Sequence, residues 1–233
     1  MSRRKNKQRS QELVAKLNKI TLPAAHSEED TENLTALMNR PIPLYPDTSK
    51  FPRMKKFRFQ LLHQWLVNSL APCKAADIGG GKGLLSYLLG QSGWEMTVID
   101  PVIQDLPDKY KDIVTESRIK IQSDQKVAYI PKEFETEMAL GFDLLVGMHA
   151  HGCNVKIIDA AAEYGCGFAI LPCCVIDEPF YPPRGVHWLE SLADYGVKKG
   201  LAVQTMRLNF KGQNIGLYSW GKCRAPDFGK IKL

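Results

Sequence analysis

No run of apolar residues in the 233-residue chain approaches the roughly 18 needed to cross a bilayer, so a membrane span is not expected. The opening Met-Ser-Arg-Arg-Lys is charged but has no apolar stretch behind it, so no secretory signal is expected there. Internal repeats are not visible either. Cysteine is too sparse for a disulfide scaffold: there are six (Cys73, Cys153, Cys166, Cys173, Cys174 and Cys223), and two of them are adjacent. Vicinal cysteines rarely pair, because one peptide bond seldom allows the geometry a disulfide needs. Reduced thiols in a soluble, cytoplasmic protein are therefore expected. With 44% hydrophobic and 24% charged residues, disorder of the whole chain is excluded.

Positive charge is present in excess, and it is unevenly placed. Residues 1–70 hold 13 Lys and Arg against 6 Asp and Glu, whereas the rest of the chain holds 18 against 19. Such asymmetry suits contact with a polyanion such as RNA, and it equally suits a solvated basic tail that keeps the protein soluble. Residues 1–10 read as polar and disordered. Helical spacing begins at residue 11, with Leu13, Val14 and Leu17 on one side. An acidic stretch from Ser27 to Glu32 follows, then a short helical segment to about Met38. Pro41, Pro43, Pro46 and Pro52 next forbid a helix and read as a linker. A boundary near residue 50 is expected, with a basic extension over 1–50 and a folded domain over 51–233.

From Met54 to Leu70, apolar residues recur every three or four positions, and Arg53, Lys55, Lys56 and Arg58 crowd the first turns. Strands and helices then alternate. Strands are expected at Ala75–Ile78, Met96–Ile99, Ile119–Gln122, Phe142–Gly147 and Gly167–Leu171. Leu201–Phe210 and Asn214–Trp220 read as a hairpin turning at Lys211-Gly212-Gln213. Helices are expected at Gly83–Leu89, Val155–Tyr164 and His187–Val197. This order predicts an α/β fold with a mostly parallel, doubly wound sheet.

The sharpest feature is Ala76-Asp77-Ile78-Gly79-Gly80-Gly81-Lys82-Gly83-Leu84, between the first strand and the first helix. Glycines there let the backbone turn with positive φ and let a ligand lie against it. A P-loop would need glycine at position 76 and Ser or Thr at 83, and a dinucleotide fingerprint would need glycine at 84. Neither pattern fits. What fits is Asp-x-Gly-x-Gly-x-Gly, built from Asp77, Gly79, Gly81 and Gly83. It resembles motif I of the class I S-adenosylmethionine-dependent methyltransferases.

The resemblance spans roughly residues 53–221 and carries expectations. It implies a Rossmann-like, mostly parallel seven-stranded sheet with an antiparallel strand and helices on both faces. S-adenosyl-L-methionine would be the cofactor, held by Asp77, Gly79, Gly81 and Gly83, with Asp100 accepting the ribose hydroxyls 23 residues beyond Asp77. Ser123 and Asp124, ending the expected third strand, would meet the adenine amino group, and Met148 would complete the cofactor site.

The acceptor side reads less simply. The fourth strand runs into Met148-His149-Ala150-His151-Gly152-Cys153-Asn154 and the fifth into Pro172-Cys173-Cys174. This resembles a subgroup carrying His-x-Cys-Gly after the fourth strand and Cys-Cys after the fifth. Eukaryotic tRNA 2′-O-ribose methyltransferases with a CHHC zinc finger lie in that neighbourhood, as do domains fused to a glutathione-transferase-like C-terminal module. His149, Gly152, Cys173 and Cys174 match, while His151 stands where the subgroup has cysteine. His149, His151 and Cys173 are the catalytic candidates. Their side chains, with Cys153 and Cys174, are also of zinc-ligand type, but the spacing fits no standard zinc knuckle, so no metal is assigned. Phe180 and Tyr181 read either as a platform for a base or as anchors of a Pro-rich loop. No Asn-Pro-Pro-Tyr tetrad or Lys-Asp-Lys-Glu arrangement fixes the acceptor atom. RNA methylation is the leading expectation. The alternatives are a small-molecule or protein acceptor, or a nucleoside-binding module without catalysis.

Overall fold

A computed structural model describes residues 3–21 and 55–223. The acidic stretch, the proline linker and the boundary near residue 50 lie outside the described residues. Seven strands form one sheet: β1 (Lys74–Ile78), β2 (Glu95–Ile99), β5 (Ala128–Ile130), β6 (Leu144–Met148), β7 (Gly167–Leu171), β8 (Gln204–Arg207) and β9 (Ile215–Ser219). Their spatial order is β5-β2-β1-β6-β7-β9-β8. Every strand runs parallel except β9, which is antiparallel to both neighbours. The Rossmann-like, mostly parallel seven-stranded sheet with one reversed strand is therefore the fold.

The central strands are buried on both faces, and alternation along each of them feeds two cores. On one side Leu145, Phe168 and Ile170 meet α4 (Asn154–Tyr164) and α5 (Trp188–Lys198). On the other, Leu144, Val146, Ala169 and Leu171 meet α2 (Arg58–Ser69) and α3 (Leu84–Gln91). Within α3, Leu85, Leu88 and Leu89 are buried at helical spacing. Helix α4 stops at Gly165, whose left-handed φ of 68° lets its N–H cap Ala161 O.

Two expectations are corrected. Residues 3–10 belong to a helix, α1 (Arg3–Thr21), which packs on α5 and β8 with Leu17 fully buried. Thr205 Oγ1 donates to Asn18 Oδ1 at 2.9 Å, and Lys16 Nζ lies 3.6 Å from Glu190. The stripe of Leu13, Val14 and Leu17 on the sheet's own helices outweighs the polar character of the first ten residues. The second correction concerns Ile119–Gln122. Strand β4 (Arg118–Lys120) pairs with β3 (Lys109–Lys111) in a separate antiparallel hairpin. Its residues are exposed, as suits a hairpin and not a sheet interior. The third parallel strand is Ala128–Ile130, so the crossover from β2 to β5 carries a hairpin where a helix is usual.

Candidate functional site

The strand order reverses direction between β1 and β6, and the loops leaving their carboxyl ends meet there. Such a switch point is where open α/β sheets take ligands. The glycine loop lies in it. Gly79, Gly81 and Gly83 adopt φ of 63°, 54° and 70°, a region that favours glycine. Gly79 N–H donates to Ile99 O at 2.8 Å, stitching the end of β1 to that of β2, and Gly83 O accepts Tyr87 N–H to start α3. A Cβ on Gly79 would lie 3.3 Å from Ala150 Cβ, so the loop after β6 presses on it. At Gly81 a Cβ would meet only Gln104 Nε2, at 3.8 Å, so this part of the loop faces the crevice.

Asp77 lies beneath the loop. It is buried, it accepts Ser86 Oγ–H at 3.0 Å, and a Cβ on Gly80 would sit 2.7 Å from its carboxyl carbon. Burial pushes its carboxyl up to about 7, Ser86 opposes the shift and the Asp100 charge adds to it. Packed under Gly80 and bonded to Ser86, it supports the loop from below. Asp100, at the end of β2, accepts Gly81 N–H through Oδ2 at 3.1 Å and Val102 N–H through Oδ1 at 2.9 Å. A carboxylate has about four acceptor positions, so two remain for hydroxyl donors. Met148 ends β6 and is buried.

Ser123 and Asp124 fall in an exposed turn between β4 and β5, not at the end of a sheet strand. The side chain that does reach the loop from the third strand is Tyr129. Its hydroxyl lies 2.8 Å from Gly81 O and 2.9 Å from Val102 O, sharing one proton between two carbonyls. The sequence signal was weak, because Ala-Tyr-Ile is short and sits on the sheet edge. Val127, just before it, closes on Gly83: a Cβ there would lie 2.8 Å from Val127 Cγ2.

The loops after β6 and β7 are joined by hydrogen bonds. His149 N–H donates to Leu171 O and Gly152 N–H to Ile176 O. Buried Glu178 accepts Asn154 N–H at 3.0 Å and Val155 N–H at 3.1 Å, and it also takes Asn154 Nδ2–H, so a carboxylate from the second loop caps the helix that follows the first. His149 holds a left-handed φ of 61° with both ring nitrogens shielded from solvent. His151, by contrast, is exposed, and its Nε2 lies 3.3 Å from Cys173 Sγ and 3.8 Å from Cys174 Sγ. The cysteine sulfurs are 3.6 Å apart. Cys153 is outside this cluster, and burial followed by the Glu178 charge pushes its thiol up to about 11. Phe180 is an anchor, its ring 5.3 Å from those of Trp188 and Tyr195, whereas Tyr181 is 72% exposed.

No family model matches the chain. A curated relative, the probable tRNA (uracil-O(2)-)-methyltransferase of Caenorhabditis elegans, is 31% identical over 125 residues, covering 47% of this chain. The chain spans about a fifth of that protein's length, 19%. Among solved structures, a precorrin-6y C5,15-methyltransferase from Geobacter metallireducens covers 77% of this chain and 100% of its own at 14% identity, with a TM-score of 0.42. A ribosomal protein L11 methylase from Lactobacillus delbrueckii subsp. bulgaricus covers 73% of this chain and 77% of its own at 14% identity and a TM-score of 0.40. Likenesses this distant add nothing to the strand order described above.

The cradle itself fits a nucleoside-bearing cofactor. Gly81 offers a side-chain-free surface, and Asp100 offers acceptor positions at the next strand end. Further along the same carboxyl edge, an open cleft of about 1430 Å³ runs between α1, the start of α5 and the β8–β9 turn. Arg9, Lys16, Arg207 and Lys211 line it, against Glu12 and Glu190. Arg9 and Lys16 of the basic N-terminal third thus lie at the loop end of the sheet, beside Arg207 and Lys211. No helix among the described residues is long and apolar enough to cross a membrane.

Proposed function

We propose that the chain is an S-adenosylmethionine-dependent methyltransferase acting on RNA, with tRNA as the preferred substrate class. The observation that carries this is the glycine loop at the switch point, with Asp100 placed against Gly81 from the neighbouring strand. The cofactor, when bound, supplies a methyl group on a sulfonium, a good leaving group, so the protein's task is alignment more than acid–base catalysis. Gly79, Gly81 and Gly83 give the loop its shape, Asp77 braces it, and Asp100 receives the ribose hydroxyls. Met148 walls the site at the end of β6. The acceptor belongs to the loops after β6 and β7, where His149, His151 and Cys173 lie. The name of the worm relative supports a tRNA substrate. The basic cleft supports a polyanion, holding phosphates while the acceptor loops choose the nucleotide. Residues 1–50 are read as an N-terminal extension whose helix forms one wall of that cleft.

The test is calorimetric titration of the full chain with S-adenosylhomocysteine, followed by radiolabelled methyl transfer to total RNA, protein and metabolite fractions. Micromolar binding lost in Asp100→Ala, with label entering RNA, is the expected result. Arg207→Ala with Lys211→Ala should weaken RNA binding at all sequences and lower the slope of log K against log salt by about 2. Label in metabolites or protein alone points to the other acceptors. Binding without any transfer points to a nucleoside-binding module, and no binding at all refutes the cofactor reading.

A further inference from the structure

The geometry points to a site for a thiophilic divalent cation, Zn²⁺, held by His151, Cys173 and Cys174 with one coordination position open. The inference goes beyond methyl transfer and stands whichever acceptor the chain uses. Among the described residues these three side chains bring one ligand atom each within 4.8 Å of one another. The distances are more specific than that. A tetrahedral zinc with Zn–S of about 2.3 Å and Zn–N of about 2.0–2.1 Å sets its donors about 3.8 Å apart for two sulfurs and about 3.6 Å apart for nitrogen and sulfur. Here the sulfurs are 3.6 Å apart, and His151 Nε2 is 3.3 Å from one and 3.8 Å from the other. The three atoms form one face of the coordination tetrahedron before any ion arrives.

Adjacent cysteines usually chelate a single tetrahedral ion awkwardly, because successive side chains of an extended chain point to opposite sides. In this protein the chain has left β7 at Leu171, and beyond buried Pro172 the two sulfurs lie 3.6 Å apart and both reach His151. The opposing loop is fixed against them by bonds that do not involve the ligands: Gly152 N–H to Ile176 O, and Asn154 and Val155 N–H to Glu178. The arrangement is thus built in, and little ordering is left for the ion to impose. Because His151 is exposed, the fourth position opens toward solvent at the carboxyl edge of the sheet, one residue from the Ala150 that touches Gly79. Three protein ligands and an open position suit a site that takes water or an acceptor oxygen, not a closed structural knuckle. Histidine at position 151 supplies an imidazole nitrogen, which is a zinc ligand in its own right. The sequence spacing concealed this site, because 22 residues separate His151 from Cys173.

The test uses the full chain, reduced with a phosphine, stripped of metal and titrated with Zn²⁺ against a chromophoric chelator, with Co²⁺ as a spectroscopic probe. One equivalent of tight binding is expected, with a thiolate-to-cobalt charge-transfer band and tetrahedral d–d bands. His151→Ala, Cys173→Ser and Cys174→Ser should each weaken zinc binding beyond the roughly 10- to 100-fold typical of losing an outer-shell partner. Cys153→Ser should leave it unchanged. On the wild type, saturating zinc should slow alkylation of Cys173 and Cys174 at least about tenfold relative to Cys73 and Cys223, which checks the site without any variant that misfolds. Absence of a charge-transfer band, unprotected Cys173 and Cys174 at saturating zinc, or undiminished binding in folded Cys173→Ser would each overturn the assignment.

Discussion

Glu178 offers the most demanding test of how the acceptor loops are built. Its Oε1 takes Asn154 N–H and Nδ2–H, and its Oε2 takes Val155 N–H, all within buried surroundings. Glu178→Ala leaves two backbone N–H groups of the first turn of α4 without acceptors, while Asn154 Nδ2 keeps Ala150 O at 3.2 Å. Leaving a buried donor unsatisfied costs about 1–3 kcal/mol, so two donors cost about 3 kcal/mol once partial entry of water is allowed for. For a chain of this size that lowers Tm by about 6–12 °C. Glu178→Gln keeps one oxygen for Asn154 but turns an amide NH₂ toward Val155 N–H, so its loss should be intermediate. The same release loosens the second loop, and Cys173 and Cys174 should react faster with a thiol reagent in Glu178→Ala than in the wild type. Thermal unfolding and timed labelling read both effects. A Tm within about 2 °C of wild type would refute the bridging role, as would labelling rates that do not change.

Other perturbations isolate other parts. Because burial raises the folded Asp77 carboxyl from 3.8 to about 7, the folded protein keeps a proton that the unfolded chain has already released. Stability from this group is therefore full below the unfolded value and is lost as pH rises through about 7. Asp77→Asn should gain relative to wild type on going from pH of about 4.5 to about 8 in denaturant titrations, and a pH-independent difference would contradict it. Gly83→Ala puts a Cβ 2.8 Å from Val127 Cγ2 at a φ of 70°, so it should destabilise by more than the about 1–2 kcal/mol of a left-handed alanine. Gly81→Ala meets only Gln104, so it should lose no more than the about 1–2 kcal/mol of a left-handed alanine yet weaken S-adenosylhomocysteine binding by calorimetry; the reverse ranking would reject the assigned faces. Leu17→Ala should destabilise by about 2–5 kcal/mol in urea, whereas a solvated tail would not register the change.

What the sequence disclosed followed how local the causes were. Strands β6 and β7 are continuous apolar runs, β1 and β2 are short, mostly apolar runs, and each formed within a residue or two of its expected place. The glycine loop was legible because its whole pattern sits in seven residues between a strand and a helix. Residues 118–122 misled for the opposite reason: Arg-Ile-Lys-Ile-Gln alternates as well as any strand, and alternation does not say which sheet it joins. Ala128–Ile130 gave almost no signal, so Tyr129 went unnoticed and Ser123 and Asp124 took a place that the third strand does not give them. The first ten residues are charged enough to look unstructured, and only the docking of Leu13, Val14 and Leu17 reveals the helix. The cluster of His151, Cys173 and Cys174 depends on two loops bonded to each other through Glu178, which no spacing within either loop encodes.

The contact between Asn18 and Thr205 spans 187 positions of the chain. A ribosome adding about 5–20 residues per second therefore leaves α1 waiting roughly 10–40 s for β8 to appear. Until α5 and then β8 are made, Leu13, Val14 and Leu17 have nothing to cover them. The helix made earliest is among the last pieces to find its seat, and nascent chains halted before residue 204 should expose it to chaperones and proteases. Fusions that slow release of the carboxyl-terminal hairpin should lower yield before they alter any property of the folded protein.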